Sequence, residues 1–183
     1  IENVTSEQRS SAKAVNFGIV YGISDFGLSK NLNISRRKAQ DYIDRYFARY
    51  PKVKEYLDRV VEDAKNTGYV TTLMGRRRNL PELGSRNFNI RSFGERVAMN
   101  TPIQGTAADI IKKAMNNVYY ELEKRGLKSR LILQVHDELI VDTHKSELEE
   151  VKNLVRHEME NAMNLSVPLI VDINVGYSWY DTK

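Results

Sequence analysis

Cysteine is absent from the 183 residues. This excludes a disulfide framework and any thiolate metal site. Apolar runs of membrane-spanning length are also lacking, as is a signal-peptide pattern, so no membrane partner is expected. Proline occurs four times and tryptophan once. There is no internal repeat, low-complexity tract or flexible linker, and the chain reads as folded throughout. Neither sign of charge prevails strongly: 28 Lys and Arg stand against 24 Asp and Glu, with a pI near 9.2. That balance permits a polyanionic partner without demanding one. The length suffices to bury a real core, as one large domain or two small ones. The chain begins at Ile1 rather than Met, and its first strong element is already chemically specialised. Both features lead us to expect part of a longer protein.

What is present is first a register. Arg9, Lys13, Phe17 and Tyr21 recur every fourth residue in QRSSAKAVNFGIVYG. In a helix successive members lie about 400° apart, so the stripe drifts only about 40° per step and extends along roughly 18 Å of axis. Thr5 with Gln8 matches a capping box, and Ala12, Ala14, Val15 and Ile19 supply helix formers and an apolar side. Two cations precede two aromatic rings, the order of phosphates, sugar and base in a nucleoside triphosphate. Gly18 in mid-helix is expected to leave room for something flat, and Gly22 to end the run. The same residues also suit a surface helix with a basic edge.

The organisation is read as α+β in two parts. The first is helical: a short helix over residues 23–32 interrupted at Asn33, a longer one capped by Ser35, and a third opened by Pro51 and stopped by Gly68. In the second, YVTTLMGRRRNLP reads as a β-segment entering a basic turn. A helical region over 92–124 follows, broken near Pro102 and Gly105. Then LILQV and ELIVD read as paired strands, 146–163 as an amphipathic helix, and VPLIVDINVGYSW as a closing strand.

Between LILQV and ELIVD stand His136 and Asp137, followed by Glu138. A tight hairpin fixes such side chains on rigid strands. Adjacent carboxylates there suit a hard cation such as Mg²⁺, which keeps its waters for phosphate ligands. Asp and His are also ordinary turn residues. Arg96, Asn100 and Gln104, four apart, suit hydrogen bonding to base edges in the minor groove, where acceptors occur in every base pair. They equally suit backbone groups freed by Pro102. Arg76, Arg77 and Arg78 read as a solvated patch or a phosphate clamp.

Arg9-x3-Lys13-x3-Phe17-x3-Tyr21-Gly22 resembles motif B of family A DNA polymerases, and Val135-His136-Asp137-Glu138 resembles their motif C. GYVTTLMGRRRNLPEL and NTPIQGTAADIIKKAM are similar to signatures between them, so the resemblance runs through essentially the whole chain in order. Single-subunit phage and mitochondrial RNA polymerases share the general layout but lack the GRRR and QGTAAD context.

The resemblance implies a helical fingers subdomain over 1–68, followed over 69–183 by the C-terminal part of an antiparallel-sheet palm with packed helices. It implies that Arg9 and Lys13 bind the triphosphate of an incoming dNTP, with Lys13 as general acid for the leaving pyrophosphate. Phe17 would pack on sugar and base, with poorer acceptance of dideoxynucleotides than Tyr gives. Tyr21 would gate the template position, and Gly22 with it would contact the DNA. Asp137 would hold catalytic metal, Glu138 would share or tune that site, and His136 would contact the primer terminus. Arg96, Asn100 and Gln104 would touch the terminal base pairs, and Arg76, Arg77 and Arg78 the DNA backbone. Ser10 departs from the pattern, standing where many bacterial members carry a second Arg.

The implied reaction is templated nucleotidyl transfer with two Mg²⁺ ions, primer-template DNA and dNTP, in a cytoplasmic, nucleoid-associated bacterial setting. A motif A segment with the second metal-binding Asp does not occur in the sequence. The missing N-terminal part, with the thumb and the motif A palm strand, is therefore an expected partner, and the chain alone is expected to be inactive. The alternative is a nucleotide- or DNA-binding module without chemistry of its own.

Overall fold

Thr5 begins the first helix by a reciprocal cap: its hydroxyl accepts from the Gln8 amide at 3.1 Å, and its amide donates to Gln8 Oε1 at 2.9 Å. The computed structural model describes residues 4–182, so Ile1 lies outside it. Helix α1 (Ser6–Val20) runs to Tyr21, whose amide closes on the Phe17 carbonyl, and Gly22 turns the chain with φ 72°.

The helical first part takes the expected order. Helix α2 (Asp25–Leu32) starts after Ser24, whose hydroxyl caps Gly27 N–H, and Asn33 ends it in the left-handed region at φ 50°. Helix α3 (Arg36–Arg49) is capped by Ser35, and α4 (Pro51–Thr67) has Pro in its first turn and stops at Gly68 with φ 80°. Arg36 of α3 pairs with Asp25 of α2, and the Arg36 guanidinium holds the Asp25 carboxyl below its ordinary value. The Tyr46 hydroxyl on α3 donates to Asn16 on α1 at 3.0 Å.

Gly18 differs from expectation. A Cβ there would meet the Ile23 side chain at 3.0 Å, so Ile23 occupies that space and no planar ligand is needed to explain the glycine. The GRRR stretch also differs. It is part of a hairpin in which β1 (Tyr69–Thr71) pairs antiparallel with β2 (Arg77–Asn79), so Arg77 and Arg78 lie on a strand and only Arg76 in the connection.

Helix α5 (Phe88–Lys124) is continuous for 37 residues and carries Pro102 inside it. Sequence reading expected a break there. Proline in a helix interior costs about 3 kcal/mol, but burial on both sides of it holds the helix together: Ala98 precedes it and Ala114 and Val118 follow, all essentially inaccessible. The Thr101 hydroxyl donates to the Val97 carbonyl at 2.8 Å just before the proline. Gly105 marks a close approach rather than a break, since a Cβ there would lie 2.6 Å from Thr72 Cγ2. The helix begins earlier than expected because Asn87 Oδ1 caps the amides of Asn89 and Ile90.

Strands β3 (Arg130–Val135) and β4 (Glu138–Asp142) form an antiparallel hairpin with an irregularity at Ile132. A 3-10 turn (Lys145–Glu147) leads into α6 (Leu148–Glu160). The closing strand expected over 167–179 does not form among the described residues. Its alternation is apolar, yet no neighbouring strand pairs with it, and Val167, Ile170 and Val175 remain exposed. A strand is defined by its ladder, and alternation alone cannot supply one.

The chain divides into two compact units, 1–105 and 106–183. The first has a core of Ala64, Val70, Leu80, Leu83 and Ala98. The second packs α6 through Val151, Leu154 and Val155 on Val118 and Leu122, with Leu131, Leu139 and Val141 of the hairpin against them. The architecture is thus α+β, helical first and then a small antiparallel sheet with packed helices. Among the described residues no helix is long and apolar enough to cross a membrane.

Candidate nucleotide and nucleic-acid sites

Arg9, Lys13, Phe17 and Tyr21 all lie exposed on α1, as their spacing requires. Phe17 is 53% and Tyr21 37% exposed, although both are large apolar rings. Their centroids are 6.2 Å apart with planes inclined by 29°, a stacked pair that continues the ridge beyond the two cations. Ile19, on the opposite side of the helix, is the residue buried there. The apolar packing of α1 therefore does not consume the ridge. A buried-core explanation of Phe17 and Tyr21 fails on this exposure.

The foot of the ridge rests on α5. A Cβ on Gly22 would meet Met99 Sδ at 3.1 Å and Arg96 Cγ at 3.2 Å. Gly22 is thus required both by its positive φ and by its contact. The close approach brings the Tyr21 end of the ridge against the start of the Arg96, Asn100 and Gln104 stripe, which the unbroken α5 keeps on one face. Arg96 is half-buried, and its guanidinium donates to Ser92 Oγ at 3.0 Å. Gln104 is exposed. Asn100 is half-buried, and its Oδ1 is a buried acceptor without a hydrogen-bond partner among the described residues. A buried polar atom left unpaired costs about 1–3 kcal/mol.

The three arginines take different partners. The Arg77 guanidinium lies over the Tyr69 ring at 3.7 Å, and its Nε donates to Asn79. Arg78 reaches α5, where Nη1 donates to Thr101 Oγ1 at 3.5 Å. The Arg76 amide donates to Thr72 Oγ1 at 3.1 Å within the connection. All three remain exposed.

In the second unit, His136 and Asp137 are the two residues between the paired Val135 and Glu138. His136 takes φ 53°, a left-handed conformation that His tolerates better than most residues. Gln134 Nε2 donates to the His136 carbonyl at 2.6 Å, tightening the bend. His136, Asp137 and Glu138 are all exposed. The far end of the hairpin is pinned by Glu147, whose carboxylate accepts from the Lys128 and Ser129 amides and the Ser129 hydroxyl. These bonds, the Lys128 amide first, hold Glu147 below its ordinary value against the opposing effect of burial.

Two residues escaped sequence reading. Trp179 donates its indole N–H to Glu138 Oε2 at 3.2 Å, and Glu147 anchors the hairpin. The single tryptophan was visible in the composition, but its partner 41 residues away was not.

The family model described as DNA polymerase family A matches residues 1–181. The chain is 59% identical over 182 residues to the DNA polymerase I of Geobacillus stearothermophilus, covering all of this chain and 21% of that protein. It is 60% identical to the DNA polymerase I of Bacillus subtilis, again over 21% of that protein. The chain thus spans about a fifth of the length of these relatives. Its fold superposes with a TM-score of 0.95 and 46% identity on the POL domain of Pol1 from M. smegmatis, solved in complex with DNA primer-template and dNTP. That superposition covers 99% of this chain and 32% of the other. With an exposed cation-aromatic ridge and a carboxylate hairpin on a fold matched nearly throughout, the chain belongs to DNA polymerase family A.

Proposed function

We propose that the chain is the fingers (1–68) and C-terminal palm (69–183) portion of a bacterial, cytoplasmic, nucleoid-associated DNA-directed DNA polymerase. The observation that carries this reading is the exposed order of Arg9, Lys13, Phe17 and Tyr21 on one side of α1, with the two rings stacked. Arg9 and Lys13 bind the triphosphate of the incoming dNTP, Arg9 through its guanidinium fork and Lys13 as a point charge. Lys13 delivers a proton to the departing pyrophosphate. Phe17 packs on the sugar and base, Tyr21 gates the template, and Gly22 contacts the DNA beside it. Arg96, Asn100 and Gln104 contact the terminal base pairs. Asn100 would donate from its side-chain amide NH2 to the minor-groove acceptors. Arg76, Arg77 and Arg78 hold the DNA backbone, and His136 meets the primer terminus.

Asp137 and Glu138 offer only oxygen donors, the chemistry that Mg²⁺ prefers. They fit part of such a shell. Among the described residues no group of three or more His, Asp or Glu could hold a metal ion, so the remaining ligands come from upstream polypeptide and substrate. Two bound Mg²⁺ ions would lower the pKa of the attacking primer hydroxyl and neutralise charge on the leaving phosphates. The same shortage of ligands supports a second, narrower reading: taken alone, the chain binds nucleotide and DNA without turnover.

The test is complementation. The isolated chain is expected to be inactive, and addition of an upstream segment carrying the thumb and motif A is expected to restore templated incorporation. In that assembly Asp137→Ala abolishes turnover and spares DNA binding. Folded, assembled pieces that extend no primer would remove the polymerase reading. Retention of salt-sensitive DNA binding would then favour the binding module.

A further inference from the structure

The C-terminal 3-10 turn (Trp179–Thr182) is closed by its own side chains. The Ser178 amide and hydroxyl both donate to Asp181 Oδ2, at 2.9 and 2.7 Å. The Thr182 hydroxyl donates to the Trp179 carbonyl at 2.8 Å, and Asn174 Nδ2 donates to the Thr182 carbonyl at 3.1 Å. Gly176 permits the fold-back, since a Cβ there would lie 2.7 Å from Asp181 Cβ. Each bond restricts the backbone that carries Trp179. The turn therefore holds the Trp179 backbone in place beside the hairpin bend.

The Trp179 indole N–H donates to Glu138 Oε2 at 3.2 Å. An indole nitrogen can only donate, so a carboxylate is its natural counterpart. The bond engages one oxygen and leaves Oε1 for a cation or a water. Glu138 is exposed and follows Asp137 directly at the bend. Without a partner its flexible side chain would sample several rotamers, and a ligand would have to immobilise it at the moment of binding. Trp179 is exposed at 39%, and the rest of its surface is covered by packing. Phenylalanine keeps most of that packing and removes only the donor, which separates the two contributions.

We propose that Trp179 is a positioning residue: it fixes the Glu138 carboxylate beside Asp137 and thereby sets how readily that pair takes up a divalent cation. The cation part rests on the polymerase reading above. The contact between Trp179 and Glu138 does not.

Two measurements test this and fail separately. Trp179 is the one tryptophan of the 183-residue chain, so its emission reports the contact without any activity. Glu138→Ala is expected to increase acrylamide quenching of that emission by about twofold, from loss of a partner that orders the ring. Unchanged quenching overturns the contact. In the complemented polymerase, Trp179→Phe is expected to raise the Mg²⁺ concentration for half-maximal incorporation by about threefold to tenfold, the scale of one charge-assisted hydrogen bond, with primer-template affinity unmoved. In a Glu138→Ala background, which removes the acceptor, the same substitution adds nothing further. Multiplying effects in the double variant, or an unmoved Mg²⁺ midpoint, overturns the positioning role. A wild-type assembly without any incorporation overturns the cation part together with the polymerase reading, and the quenching result still decides the contact.

Discussion

Arg96 leaves Gly22 no room for a side chain: a methyl group built on Gly22 would sit 3.2 Å from Arg96 Cγ. This close approach joins the end of the cation-aromatic ridge on α1 to the first member of the polar stripe on α5. Neither residue is attractive in sequence as a packing pair, since one lacks a side chain and the other carries a charge. The arginine contributes its aliphatic stem while its guanidinium bonds Ser92.

Gly22→Ala should therefore be costly in two ways. The residue keeps φ 72°, which costs an L side chain about 1–2 kcal/mol. The new methyl also meets Met99 and Arg96. A fall in the urea midpoint at unchanged m-value is expected. An unaltered midpoint would show that the chain end there adapts freely, and the proposed register between ridge and stripe would lose its basis.

Gly105→Ala pits two effects against each other. Alanine in a helix interior gains about 1 kcal/mol over glycine. Against that, the added Cβ would come within 2.6 Å of Thr72 Cγ2 on a buried residue, and overpacking typically costs about 1–3 kcal/mol. The clash should win, giving net destabilisation in denaturant unfolding. Thr72→Ser removes the offending methyl and keeps the hydroxyl that accepts from the Arg76 amide. Gly105→Ala should then be neutral or stabilising in the Thr72→Ser background. Additive losses in the double variant would dismiss this contact as the reason for the glycine.

The residues differ instructively in how far sequence disclosed them. The α1 ridge and the α4 termini at Pro51 and Gly68 were legible because capping, periodicity and left-handed stops act over a few residues. So was the His136-Asp137 bend, where apolar strands leave only two residues to turn. Pro102 misled because its local penalty is outweighed by burial of Ala98, Ala114 and Val118, which depends on other elements. The 167–179 segment misled in the opposite direction: alternation predicts a strand, but no neighbour hydrogen-bonds to it as one. Trp179 was unreadable as a site residue because its partner is fixed by tertiary folding. The arginine run was read as a turn, whereas strand pairing sends Arg77 to Tyr69 and Arg78 to Thr101.

Lys13→Ala removes one of the two exposed cations on the ridge while leaving the Phe17–Tyr21 stack in place. Alanine is a better helix former than lysine, so stability should hold or rise by a few tenths of a kcal/mol. In the complemented polymerase, incorporation at low dNTP should fall by at least about tenfold, the scale of one lost charge-assisted contact. Binding of primer-template should change little. Steady-state incorporation against dNTP concentration, beside a DNA titration, separates the two. Equal losses in both would assign Lys13 to general electrostatic attraction rather than to the triphosphate.

Acid should loosen the hairpin through Glu147. Its carboxylate accepts from the Lys128 amide, the Ser129 hydroxyl and the Ser129 amide, and these bonds lower its pKa in the folded chain from the ordinary 4.5. A depressed folded pKa means that the unfolded state binds the proton more readily. The stabilisation is therefore complete above about pH 4.5, and it disappears as pH falls through the lower folded value. Glu147→Gln should lose it at neutral pH, and it should flatten this group's share of the acid dependence. The Ser129 hydroxyl also accepts from the His144 amide at 3.0 Å, so both strand ends should loosen together. Hydrogen exchange provides the direct reading. Faster exchange at the Lys128, Ser129 and His144 amides is expected in Glu147→Gln at pH 7, with the wild-type chain approaching the same rates, after correction for intrinsic exchange, only below pH 4.5. Protection that is equal in both chains at neutral pH would show that apolar packing of Leu131, Leu139 and Val141 on α6 holds the hairpin base without the carboxylate.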